Sequence, residues 1–129
     1  MPVLTQSPTL GDLLKYELNA AYNRETVTLK SGASYPLGAV LGRITASGKH
    51  RLSPAATVTG DEGAETAIAV LLQPVDATAA DQTGLVAARG PAIVSKAALV
   101  FDASVDQPAE KAAKHAQLAA AGLVPRETA

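Results

Sequence analysis

Residues 66–73 read Thr-Ala-Ile-Ala-Val-Leu-Leu-Gln. The run is almost unbroken in apolar side chains, and Pro74 stops it. A continuous rather than alternating apolar run predicts a strand covered on both faces. The rest of the chain is read outward from it.

Upstream, Glu25–Leu29 (ETVTL) alternates, with Val27 and Leu29 on one face and Thr26 and Thr28 on the other, the pattern of a half-buried strand. Lys30–Gly38 is a turn-rich connection. Val40–Thr45 is a further strand, in which Gly42 marks a bulge or a close backbone approach. Ser47-Gly48 punctuates a hairpin, and Lys49–Leu52 returns as a short strand. Pro54–Glu65 reads as loop. Nearer the start, Leu10, Leu13, Leu14 and Leu18 fall at helical spacing, which predicts a short helix over Gly11–Ala21.

Downstream, Val75–Gln82 is a small-residue connection, and Asp76-Ala77-Thr78 has the form of an Asx turn. Thr83–Arg89 and Ala92–Ser95 are strands separated by Gly90-Pro91. Lys96–Phe101 is a single helical turn behind Ser95. A helix is predicted at about 107–122, with Asp106 as cap, Pro108 in the first turn, a Glu110–Lys114 pair and Gly122 as stop. Its Ala112, Ala116, Ala119 and Leu123 form a stripe expected to dock closely but shallowly. The division is therefore 1–23, an N-terminal arm and short helix, and 24–129, one β-rich domain ending in a helix. The fold class is mainly β with short helices (α+β).

Composition excludes several functions. The chain has 129 residues, enough for one domain with its own core. It has no cysteine, hence no disulfide framework, thiolate metal site or Cys nucleophile. Its four aromatic residues, Tyr16, Tyr22, Tyr35 and Phe101, are too few for a base-stacking platform. A net charge of −1 gives no electrostatic case for nucleic acid. No apolar run reaches the ~18–20 residues of a membrane span, and no signal-peptide pattern opens the chain. The 27 alanines, about a fifth of the residues, inflate the apolar fraction without supplying large side chains. The core is expected to be thin, which favours oligomerisation.

Charge is unevenly spread. Residues 24–60 carry Arg24, Lys30, Arg43, Lys49 and Arg51 against Glu25, a net of +4. Residues 61–106 carry Asp61, Glu62, Glu65, Asp76, Asp81, Asp102 and Asp106 against Arg89 and Lys96, a net of −5. Solvated loops of both signs would look like this, and so would complementary faces that meet between subunits.

Candidate chemistry is sparse. His50 sits beside Lys49 and Arg51, and His115 lacks an acidic helical neighbour, so both read as surface residues rather than ligands. Asp76 and Asp81 could pair for acid–base work, but Asp also seeds turns. Gly60-Asp61-Glu62-Gly63 lacks both the spacing of an EF-hand loop and the Lys-Ser/Thr of a phosphate loop. No G-x-S-x-G context is present. The chain reads as a non-enzyme without cofactor or metal.

The order of segments is more specific than any side chain. Asn23-Arg24-Glu25-Thr26-Val27-Thr28-Leu29 is followed by Ser31-Gly32, Leu37-Gly38-Ala39-Val40-Leu41-Gly42-Arg43-Ile44 and Gly48-Lys49. Then come Ala67–Leu72, Val75-Asp76-Ala77, Val86–Ala92 with its Arg89-Gly90-Pro91, and Leu118–Leu123. Over roughly 22–124 this series resembles the lambda-type head decoration proteins of tailed bacteriophages. Ala69 departs from the pattern, where such sequences often carry Gly. The resemblance implies a β-clip-type domain. It implies a homotrimer on the outer surface of the virion, at three-fold positions, made in the host cytoplasm. Its partner would be the phage major capsid protein, with no nucleic acid and no membrane, and its task to hold the lattice against DNA pressure. The rival is a small enzyme or chaperone-like module on the same kind of fold, with a site at a subunit junction built from Asp76, Asp81 and Arg89.

Within that reading the capsid-binding arm comprises Pro2, Val3, Leu4, Thr5, Gln6, Pro8 and Leu10. Residues 1–9 carry no charged side chain, and two prolines prevent a regular helix. Such a segment can add as a strand to a partner's sheet edge.

Overall fold

The apolar run at the middle of the chain forms strand β6 (Ala67–Leu71), a wall strand of a closed five-stranded barrel. The computed structural model describes residues 13–17 and 20–127. Both faces of β6 are covered, as its sequence predicts. Val70 faces one apolar cluster with Leu13, Val40, Val94, Leu118 and Leu123, while Ala69 and Leu71 face a second with Leu29, Tyr35, Leu41 and Val86. Alternation along one strand thus supplies two adjoining small cores.

The other barrel strands are β2 (Arg24–Leu29), β4 (Val40–Arg43), β5 (His50–Leu52) and β8 (Gln82–Ala87), in the order β2-β5-β4-β6-β8. Strand β2 pairs with β8 along its whole length, from Arg24↔Ala87 to Leu29↔Gln82. Its pairing with β5 is parallel and consists of the single bridge Leu29↔His50. The β4–β5 hairpin turns at Gly48, which adopts a positive φ of 76°. The register of β4 on β6 slips between Leu41 and Gly42. A Cβ at Gly42 would overlap the Ala64 carbonyl oxygen, so the glycine marks both the bulge and the close approach expected of it.

Outside the barrel lie a three-stranded sheet and a two-stranded ribbon. The sheet has the order β1-β9-β10, from β1 (Leu14–Glu17), β9 (Ala92–Ser95) and β10 (Leu123–Arg126). The ribbon pairs β3 (Ser34–Tyr35) with β7 (Val75–Asp76), so the turn-rich connection and the small-residue connection each hold a short strand. A four-residue helix, α1 (Ala20–Asn23), precedes β2, and Lys96–Ala98 is one 3-10 turn with no side-chain cap from Ser95. The predicted N-terminal helix is not found over Leu14–Glu17. That segment is a strand antiparallel to β9, while Leu10, Gly11 and Leu18 lie outside the described residues.

The C-terminal helix α2 (Pro108–Ala120) occurs where predicted, but its cap and its buried face differ. Gln107 caps it, in a capping box with Glu110, whose carboxylate accepts the Gln107 N–H at 3.1 Å. Gly122, with φ of 90°, follows its end. Ala112, Ala116 and Ala119 are exposed, whereas Lys114 and Leu118 are buried. Lys114 makes no pair with Glu110 but reaches into the barrel seam. Its Nζ donates to Ser53 Oγ at 2.9 Å, the Pro54 carbonyl at 2.6 Å and the Glu65 carbonyl at 2.5 Å. Gln117 Oε1 accepts the Ala67 N–H at 2.8 Å, tying the helix to β6 as well. Leu118 and these polar groups, not Ala112, Ala116 and Ala119, dock this helix.

Candidate functional site

The predicted arm residues Pro2, Val3, Leu4, Thr5, Gln6, Pro8 and Leu10 lie outside the described residues. Their point of entry into the domain is described. Leu13 is fully buried, and β1 hydrogen-bonds to β9 as the edge of its sheet. Arg24 grips Glu17 from the start of β2, Nη2 to Oε1 at 2.6 Å and Nε to Oε2 at 3.1 Å. Two parallel bonds of this kind fix direction as well as distance.

The opposite charges of the two segments meet within the chain. Asp61, from the 53–66 loop, is almost fully buried and accepts from Lys30 Nζ at 2.8 Å and from Arg51 Nη1 at 2.8 Å. These bonds hold its carboxyl below the usual carboxylate range. Arg51 also reaches Asp102 at 3.4 Å, and Lys49 pairs with Asp81 at 2.6 Å. Asp61, Asp81 and Asp102 of the acidic segment are thus paired with Lys30, Lys49 and Arg51 of the basic one within the chain.

The three residues of the rival active site serve separate local bonds. Asp76 accepts from the Thr78 N–H at 3.1 Å and from its hydroxyl, completing the predicted Asx turn. Asp81 accepts the Ser31 N–H at 2.8 Å besides Lys49. Arg89 reaches Glu25 at 3.1 Å. Among the described residues no cluster of three or more metal-ligating side chains is found.

A cleft of about 450 Å³ lies beside β2. It is lined by Glu25–Thr28, by Arg43, Gly48 and His50 of the hairpin, and by Ile68 and Ala69 of β6. His50 is buried, contrary to the surface position its basic neighbours suggest, and its Nδ1 has no hydrogen-bond partner. Burial first, then the adjacent Arg43 guanidinium, lowers its pKa below the ordinary histidine value. Arg43 itself is exposed and forms no ion pair among the described residues, unlike Arg24, Lys30, Lys49 and Arg51. Sequence reading missed both residues as a site. Gly48-Lys49-His50-Arg51 shows a hairpin tip but not which side chain turns inward. His115, the other histidine, is half-buried, with its ring edge-on to Phe101 at 5.7 Å.

The described residues thus define a mainly-β domain with most of its charges locked into the scaffold and an open polar cleft beside β2, a construction suited to structural binding. The family model for bacteriophage lambda head decoration protein D matches residues 3–123. The chain belongs to that family, and its place is the phage head, as a structural protein of the capsid. No curated protein matches it.

Proposed function

We propose that the protein binds the exterior of the expanded head as homotrimers at three-fold positions and holds neighbouring major capsid protein subunits together. The observation that carries this is the family match, which begins at residue 3 and so takes in the arm as well as the barrel. In this reading Pro2, Val3, Leu4, Thr5, Gln6, Pro8 and Leu10 are the attachment element, anchored to the domain at Leu13 and β1. Burying Val3, Leu4 and Leu10 would contribute ~4–8 kcal/mol gross. Ordering the arm costs about 1–2 kcal/mol per residue, so backbone bonds to the partner decide the balance. Three arms on one trimer turn weak single attachments into a firm one.

The test is cosedimentation with expanded capsids, alongside the solution mass. The full chain should bind, with a mass three times that of one chain in solution or on the capsid. A chain lacking residues 1–10 should fold and trimerise but lose affinity by at least about tenfold. Monomeric decoration, or full affinity without the arm, would refute the respective part.

A further inference from the structure

We propose that the cleft beside β2 is a receptor for an extended, carboxylate-bearing peptide segment, which adds as a strand to the free edge of β2 and places its carboxylate between Arg43 and His50. The proposal rests on the capsid-binding reading for its natural occupant, a segment of the capsid protein.

Three observations converge on this cleft. The first is the backbone. Ala88 N–H donates to the Asn23 carbonyl at 2.9 Å, so the odd-numbered residues of β2 address β8. Lys30 N–H donates to the His50 carbonyl at 2.8 Å, so the even-numbered ones address the other side. On that side the described pairing is the single bridge at Leu29. The N–H and carbonyl of Thr26 and the N–H of Thr28 therefore face the cleft, where an incoming strand can bond them.

The second is His50. It is 7% exposed, it lines the cleft, and its Nδ1 is unpartnered. A buried nitrogen without a partner costs free energy that a bound donor or acceptor recovers. The third is charge. Of the five basic side chains in residues 24–60, Arg43 alone makes no ion pair among the described residues, and it stands at the same cleft. Glu25, also at the cleft, is engaged by Arg89 at 3.1 Å. A carboxylate satisfies both nitrogen groups at once, accepting from the guanidinium and, in the tautomer that carries its proton on Nδ1, from the imidazole.

The probe is the blocked peptide acetyl-Val-Thr-Asp-Thr-Val-amide, titrated into the isotope-labelled full chain and followed by NMR. The Asp peptide should move the Thr26 and Thr28 amides and the His50 ring nitrogens. The Asn peptide should bind about tenfold more weakly, and Arg43→Gln should erase that difference. Absence of shifts at millimolar peptide, leaving only water at His50, overturns the proposal, as do equal affinities for the two peptides. Sodium acetate giving the same amide shifts would show a carboxylate site without strand addition, which also overturns it. So would cleft resonances of the free chain that move with its own concentration or on deletion of residues 1–10, since a second copy or the arm would then be the occupant. On capsids that bind the wild type, Arg43→Gln should lower affinity about tenfold, and unchanged affinity would overturn the capsid assignment. If wild type does not bind capsids, the proposed function fails while the peptide titration still decides the cleft.

Discussion

Lys114 and His50 are both buried nitrogen bases, and the protein treats them differently. Lys114 turns inward from α2 and finds three oxygen acceptors within 2.9 Å, from Ser53, Pro54 and Glu65. His50 turns inward from the β4–β5 hairpin and leaves Nδ1 without a partner, beside an Arg43 that has no ion pair among the described residues. The first region is complete in itself, so its polar groups serve folding. The second leaves a buried nitrogen without a partner among the described residues, and the proposed peptide contact would supply one. Satisfaction of the buried polar atom, not its mere presence, distinguishes these two regions.

That contrast can be broken by substitution. The largest effect is expected at the seam. Lys114→Met keeps the volume but leaves the Pro54 and Glu65 carbonyls without their donor. It should cost about 3 kcal/mol or more, lowering Tm by about 10 °C, as thermal unfolding will measure. Next comes Asp61→Asn, which weakens the bonds from Lys30 and Arg51. It should cost about 1–2 kcal/mol in urea unfolding. At the cleft, Arg43→Gln should leave stability within about 0.5 kcal/mol, because the side chain is exposed and unpaired. A large loss there would erase the contrast between the two regions.

The smallest effect is a slope. His50 has a folded pKa below its ordinary 6.5, so the unfolded chain binds more protons between those two values. Stability should therefore fall as pH drops from 7 to 5. His115 contributes in the same direction, being lowered by burial and by Lys96. Asp61 contributes at lower pH: its stabilisation is present above its unfolded value near 3.8 and is lost as pH falls through its depressed folded value. His50→Gln should flatten the pH 7-to-5 slope in Tm without removing it. An unchanged slope would show that His50 is not held neutral.

The strands were legible where local pattern and tertiary environment agree. Residues 66–73 are apolar on both faces because β6 lies between two clusters, and ETVTL alternates because β2 has one covered face. Leu14 fits a helical face as well as a sheet edge, and pairing with β9, nearly eighty residues away, made it a strand residue. The boundaries of α2 follow from Pro108 and Gly122, but its orientation does not. A lysine reads as solvent-facing until its acceptors, 49 to 61 residues distant, are folded against it. The same holds for the charge blocks, which in sequence fit solvated loops or subunit faces and in the fold are joined in part by ion pairs within one chain. The cleft was the least legible part. Its content is an absence of pairing beyond Leu29↔His50 among the described residues, and no residue pattern records where a ladder stops.

The central claim, decoration of the head through the arm, is tested most directly by electron cryomicroscopy of expanded capsids saturated with this protein. Three copies should surround each three-fold position on the outer surface, with residues 1–10 as extended density against the major capsid protein. Copies seated elsewhere, or an arm that makes no contact with the capsid protein, would contradict it.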